Sequence, residues 1–410
     1  MNDKRQQIFH EPFDTLEEFV DAISEHLECP VTIEDANHHL LAYSSHDDQT
    51  DSARVRTIIG RRVPEQVINR FWKEGVIPTL NQSDEPQVIS EINDIGLGNR
   101  VAVSIRQNKE VLGYIWVLEV GRSLSDQDLA DLTFFAGKAK SLLLQLKKQR
   151  SRKEKNHQEL LWQILTGDLR DHQPIADQLS RIGINTNRAL GIIVFTFPEL
   201  DRELYKKLIY AAKTIQKMDI LIQTLDDNRL VFLVSPFSQE NEMEETKEFI
   251  YTFKRQINER FGISDLDSGS GYMYENYTFI KRSYEEAVKV ASLKKTFYKE
   301  LSHVNLYHEL GIFRYIDLLK KYDEVQDMPP NPAIQRLSAY DQENRTNLLE
   351  SLEAILEKDG NMNAAAKSLH CHVNTLNYRL KRIQELTSIQ LKDPVQKLGL
   401  YLDIKLSNQR

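Results

Sequence analysis

The chain has 410 residues, 40% hydrophobic and 28% charged, with a net charge of −8, the profile of an ordinary soluble protein of two to four domains. No apolar run approaches the roughly 20 residues that span a bilayer, and the opening MNDKRQQIFHEPFDTLEEF lacks the apolar core of a secretion signal. Cys29 and Cys371 stand far apart, which fits a reducing cytoplasm and excludes a disulfide framework. The charge is uneven. Residues 345–410 carry ten Lys/Arg against seven Asp/Glu, a net +3, which leaves −11 on the preceding 344 residues. A basic module on an acidic body is compatible with nucleic-acid binding, because phosphate contacts need only local positive charge.

The first elements alternate in type. TLEEFVDAISEHL (15–27) places Leu16, Phe19, Val20, Ile23 and Leu27 on one helical face, with Asp14 as the expected N-cap. VTIED and LLAYS read as strands around a turn at Asp35-Ala36-Asn37. Helical stretches follow around 54–60 and 64–74, then VIPTL, QVISEI, NRVAVSIRQ and EVLGYIWVLEV as strands, the last two joined at Asn108-Lys109. Residues 125–146 form a helix capped by Ser125, whose apolar residues Leu129, Leu132, Phe135, Ala139, Leu142 and Leu146 suit either a dimer seam or its own domain. QLKKQRSRKEKNHQ beyond it has no apolar face and reads as a solvated linker or continuing helix.

This α+β order resembles the GAF or PAS class of small-molecule sensors. Arg61, Arg62 and Arg100 are candidates for an anionic ligand group, since a guanidinium matches a carboxylate. Tyr43, Trp72, Tyr114 and Trp116 are candidate pocket walls. The alternative is solvated arginines and core aromatics.

The middle region continues with helix 159–166, ended by Gly167, then strand 189–197, helix 201–217, and the strands DILIQTL and RLVFLVSP around Asp226-Asp227-Asn228. Helix 241–261, the strand SGSGYMY and helix 276–298 complete a ferredoxin-like order. It is similar to the nucleotide-cyclase-like GGDEF fold. The active family carries a Gly-Gly-acid-acid hairpin, which lets phosphates approach the backbone and supplies a metal-binding carboxylate. Here the hairpin reads Leu225-Asp226-Asp227-Asn228-Arg229 without glycine. The resemblance therefore implies a degenerate coupling domain with no cyclase activity. Met328-Pro329-Pro330-Asn331-Pro332 marks the next boundary.

The last region is helical. TNLLESLEAILEK turns Leu348, Leu349, Leu352, Ile355 and Leu356 inward and stops at Asp359-Gly360. A short Ala-rich helix from 364 to 369 has Asn363 as its expected cap. His370-Cys371-His372 is not a metal site, because consecutive residues point in different directions. A longer helix begins at Asn374. At 100° per residue from Leu376, Leu380 and Ile383 lie at about 40° and 340°. Asn374, Thr375, Tyr378, Lys381 and Arg382 fall at about 160°, 260°, 200°, 140° and 240°, on the opposite face, with Arg379 at its edge. Asn pairs with adenine, Thr meets a thymine methyl or a phosphate, and Lys and Arg neutralise phosphates or reach guanine. Polar and aromatic residues on the first turn of a second helix are the pattern of a helix-turn-helix in a DNA groove.

The run HVNTLNYRLKRIQELTSIQLKDPVQKLGLYLDIKL closely resembles the C-terminal signature of PucR/CdaR-type bacterial transcriptional regulators. PAIQRLSAYDQENRTNLLESLEAILEKDGNM, Ser283-Tyr284-Glu285-Glu286-Ala287 and Tyr307-His308-Glu309-Leu310-Gly311 are similar to upstream parts of that family. Val373 stands where the family often has Arg, Ala365 where it has Thr, and Ser388 where it has Gly. The resemblance implies a multidomain α+β chain: a GAF-like sensor with exit helix at 1–146, a helical linker at 147–170, a degenerate GGDEF-like domain at 171–327, and an all-α helix-turn-helix domain at 333–410. It also implies a cytoplasmic, non-enzymatic homodimer that binds a double-stranded operator and a small effector and meets the transcription machinery, without cofactor, metal or membrane. The architecture is similar to the proline-utilisation activators of this family, which makes an amino acid the expected effector class. The competing readings are a metabolite-sensing protein that does not bind DNA, and a nucleotide cyclase or hydrolase.

Overall fold

The computed structural model describes residues 13–44, 50–264, 266–319, 329 and 331–407. Most of the opening stretch read for a signal, and Met328 and Pro330 of the proline boundary, lie outside them. The chain divides into two compact units, Met1–Tyr307 and His308–Arg410.

The first unit holds two antiparallel sheets. One has the order β2-β1-β5-β4-β3, with β1 Val31–Asp35, β2 Leu40–Tyr43, β3 Gln87–Ile89, β4 Arg100–Gln107 and β5 Glu110–Leu118. Alternate residues of its strands feed two cores. Helix α1 (Leu16–Leu27) meets Val31, Ile33, Val103 and Ile115 on one face. Helices α2 (Ser52–Gly60), α3 (Glu65–Lys73) and α4 (Val76–Leu80) meet Ala102, Tyr114 and Trp116 on the other.

Two local expectations fail here. Thr15, not Asp14, caps α1, accepting from the Glu18 amide at 3.2 Å. VIPTL is the helix α4 rather than a strand. Gly75 takes φ +77° to start it, and Pro78 falls in the first turn, where its missing N–H is not needed. Ile77 and Leu80 are both fully buried at helical spacing.

Helix α5 runs unbroken from Asp126 to Thr166, 41 residues and about 60 Å. A Ser125–Asp128 capping box starts it, and Gly167 at φ +86° ends it. The exit helix, the charged stretch and helix 159–166 are therefore one element. Leu132, Phe135, Ala139 and Leu143 pack on the first sheet, whereas Leu160, Leu161, Ile164 and Leu165 pack on the second. The apolar seam is thus occupied by its own domain.

The second sheet has the order β7-β8-β6-β9, with β6 Gly191–Thr196, β7 Asp219–Asp226, β8 Arg229–Ser235 and β9 Asp267–Ser270. This is the ferredoxin-like arrangement, two interleaved βαβ units. Helix α6 (His172–Arg181), which the sequence reading did not include although Ile175, Ala176 and Leu179 share one face, joins α5 on one face of the sheet with α9 (Ile280–Thr296). Helices α7 (Arg202–Thr214) and α8 (Glu242–Phe261) cover the other. SGSGYMY is shorter than expected as a strand, and its glycines serve contact. A Cβ at Gly269 would lie 2.1 Å from the Ala287 carbonyl, and one at Gly271 2.1 Å from that of Ser283. Helix α9 lies directly on that backbone.

Among the described residues the second unit is helical, with α10 (Phe313–Leu319), α11 (Pro332–Asn344), α12 (Leu348–Glu357), α13 (Met362–Ser368), α14 (Val373–Thr387) and α15 (Pro394–Ser407). Ile334, Leu337, Leu348, Leu352, Ile383, Leu400 and Ile404 form one core.

Candidate nucleic-acid interface

The C-terminal reader is assembled from small apolar contacts and side-chain caps. Ala365 and Ala366 are buried against Ala354, Ile355 and Leu376, so α13 approaches α12 and α14 closely. Asn361, not Asn363, caps α13, accepting from the Ala364 amide at 3.0 Å. His370 turns the chain at φ +51°. His372 then caps α14, its Nδ1 accepting from the Asn374 amide at 3.2 Å. The helix therefore begins at Val373, one residue before expectation.

Leu376 and Ile383 are fully buried, and Leu380 is partly so. Asn374, Thr375, Tyr378 and Lys381 are exposed on the other side, with Tyr378 at 73%. Asn377, not among the expected residues, is exposed beside them. Arg379 and Arg382 are half-buried and engaged with the scaffold. Arg379 Nη1 donates to Ser351 Oγ on α12 at 3.1 Å. Arg382 donates to Tyr340 Oη at 3.3 Å, lies 5.0 Å from that ring's centre, and pairs with Glu385 at 3.0 Å. Tyr340 and Glu385 hold its guanidinium firmly protonated.

The seven residues expected to line one ligand pocket lie in different places. Tyr43 is on the surface. Arg61 and Arg62 line an open cleft of about 790 Å³ with Arg150, Lys153 and His157. Trp72 donates to Tyr210 Oη at 2.8 Å, and Tyr114 donates to Asn81 at 2.6 Å and stacks on His38. Arg100 and Trp116 border a separate interior cavity of about 20 Å³ between β1, β5 and the helices α2 and α3. Arg100 is bonded there to Asp51, which also accepts from the Arg54 and Gly98 amides at 2.7 and 2.8 Å. Burial nevertheless pulls the Arg100 pKa down.

Sequence reasoning missed Arg54 and Glu34 on this cavity, 5% and 3% exposed. The available signal was an arginine next to Ala53 on the inward face of a short helix. Burial lowers the Arg54 pKa to about 10.

In the middle domain, Asp226 is engaged by Arg229 and by the Tyr284 hydroxyl. Burial and this carboxylate push the Tyr284 pKa up to about 12.

Comparison with known proteins agrees with this architecture. Residues 348–406 match the PucR C-terminal helix-turn-helix domain, and residues 166–293 match a GGDEF-like domain. The DNA-binding transcriptional activator AdeR of Bacillus subtilis (strain 168) is 42% identical over 399 residues, covering 97% of this chain and 94% of its own. The proline-responsive transcriptional activator PutR of the same organism is 30% identical over 406 residues, covering 97% and 98%. Its purine catabolism regulatory protein is 30% identical over 110 residues, 26% of this chain and 20% of its own. The chain belongs to the PucR-type family of DNA-binding transcriptional regulators.

Proposed function

We propose that this regulator reads a two-fold operator as a homodimer, with α14 in the major groove of each half-site, and activates transcription when a small metabolite occupies its first unit. The observation that carries the DNA-reading assignment is the exposed quartet Asn374, Thr375, Tyr378 and Lys381 at the start of α14, opposite buried Leu376 and Ile383. Asn374 and Thr375 are assigned to base edges and Lys381 to phosphate. Arg379 and Arg382 steady the helix and present their remaining nitrogens to the backbone. The names of AdeR and PutR support activation, and PutR supports an amino acid as effector class. A GAF-like sensor role for residues 1–146 is supported by the first antiparallel sheet, with helices on both faces, and the cavity beneath α2 and α3. A non-catalytic middle domain is supported by a hairpin without glycine, whose Asp226 is already bonded. Among the described residues no helix is long and apolar enough to cross a membrane.

The test is a gel shift of the full chain on its own upstream region, beside Asn374→Ala. Sequence-selective binding that Asn374→Ala reduces about tenfold or more supports the assignment. Weak binding without sequence preference, equal in both proteins, overturns it.

A further inference from the structure

The interior cavity of the first unit carries a charge pattern that packing alone does not explain. Glu34, Arg54 and Trp116 border it, each at 5% exposure or less. Arg54 Nη2 donates to the Ser44 carbonyl at 2.9 Å, but among the described residues Arg54 Nε has no hydrogen-bond partner. Trp116 Nε1 is likewise buried without one. Buried donors left unmade are destabilising, and those on a charged group most of all. Two residues lining one cavity thus each keep an idle donor, which suits an acceptor such as a carboxylate. Glu34 contributes an opposite charge to the same cavity. Its Oε2 is 3.1 Å from His38 Nδ1. Val67 and Phe71 of α3 close the apolar side.

We infer that this cavity is the effector site and that its ligand is a small zwitterionic α-amino acid. Arg54 and Trp116 hold the carboxylate, and Glu34 holds the ammonium. The inference rests on the sensor reading above and supplies its site and ligand chemistry. At about 20 Å³ the cavity matches a group the size of one or two waters. A whole amino acid enters only as α3 moves off the sheet.

That movement has a direct outlet. The face of α3 opposite Val67 and Phe71 carries Glu65, Asn69 and Trp72, and all three bond the middle domain. Glu65 accepts from the Gln216 amide at 2.9 Å and from Gln256 Nε2 at 3.1 Å. Asn69 accepts from Arg260 at 2.6 Å, and Trp72 donates to Tyr210 at 2.8 Å. The helix that walls the cavity is therefore also the contact surface of the coupling domain.

Titration calorimetry of the full chain tests this with glycine, L-alanine, L-serine and L-proline, beside propionate, which lacks the ammonium, and ethylamine, which lacks the carboxylate. The expected result is saturable binding of at least one amino acid, tenfold or more tighter than either half-analogue. Arg54→Lys, Glu34→Gln and Trp116→Phe should each weaken it about tenfold, while Arg62→Ala in the neighbouring cleft leaves it unchanged. Absence of binding by all four amino acids, equal binding of a half-analogue, or loss on Arg62→Ala alone overturns the inference. The half-analogue comparison uses the unmodified chain, so a variant that fails to fold does not shield the proposal. Operator binding measured without ligand is independent. An intact gel shift with no amino-acid binding removes this site and leaves the DNA-reading assignment standing.

Discussion

The Trp72 indole N–H points at the Tyr210 phenolic oxygen, 2.8 Å away. Tyr210 is also 2.9 Å from His38 Nε2, and His38 Nδ1 is 3.1 Å from Glu34. With a neutral imidazole one proton order satisfies all of these: Trp72 donates to Tyr210, Tyr210 to His38, and His38 to Glu34. Burial raises the Tyr210 pKa, which keeps its hydroxyl protonated for that role. The chain links the first sheet to helix α7 of the middle domain.

Tyr210→Phe removes the hydroxyl and leaves the ring. The Trp72 N–H and the His38 nitrogen then lose their partner together. A loss of about 1–3 kcal/mol is expected, read as a lower urea midpoint with an unchanged slope. A change of slope instead would mean that the two domains have separated into independent folding units.

Asp35 predicts a pH dependence. Burial acts to raise its pKa, but His39 and Arg150 outweigh burial and hold the carboxyl well below the usual range. A group lowered in the fold stabilises it above the unfolded value of about 4, and that contribution is lost as pH falls toward the folded value. Asp35→Asn should therefore be less stable than the natural chain at pH 6, with the gap narrowing between about pH 4 and pH 2. Urea midpoints across that range check it. A gap constant with pH would place the effect in packing.

Lys381 is exposed, and among the described residues it forms no hydrogen bond or ion pair. Lys381→Ala should leave the melting temperature unchanged and lower the slope of log affinity against log salt by about 1. An unaltered salt slope would remove Lys381 from the phosphate contacts.

Leu376→Ala opens a hole between α12, α13 and α14, where Leu376 is fully buried against Ala354, Ile355, Ala365 and Ala366. The expected loss is about 2–5 kcal/mol. Operator binding should fall with the folded fraction measured by circular dichroism, because the exposed quartet is only as ordered as the core beneath it.

Gly269→Ala places a methyl 2.1 Å from the Ala287 carbonyl and 2.8 Å from Val290 Cβ. Neither backbone nor branched side chain gives way readily. A destabilisation of about 1–3 kcal/mol is expected, whereas Gly183→Ser, in open space, should be strained only by its φ of +86°. Comparing the two melting temperatures separates crowding from backbone strain.

The DNA-reading helix was legible because its determinants are local. The angular separation of Leu376 and Ile383 from Asn374, Tyr378 and Lys381 follows from helical geometry and a few consecutive residues. The order of strands and helices was legible for the same reason, apart from helix α6 and from places where one or two residues changed the outcome. Gly75 and Pro78 made VIPTL a helix, and His372 moved the start of α14 by one position. Tertiary structure alone formed the cavity proposed as the effector site. Glu34, Arg54 and Trp116 stand on β1, α2 and β5, and none of them has a local pattern that points to the others. It also decided that Arg100 serves Asp51 and that Arg379 serves Ser351. An arginine side chain is long enough to leave its own helix or strand and reach a neighbouring element, so its partner depends on which elements fold beside it. Hydrophobic periodicity sets each element, whereas the pairing of buried charges is set only when the elements meet.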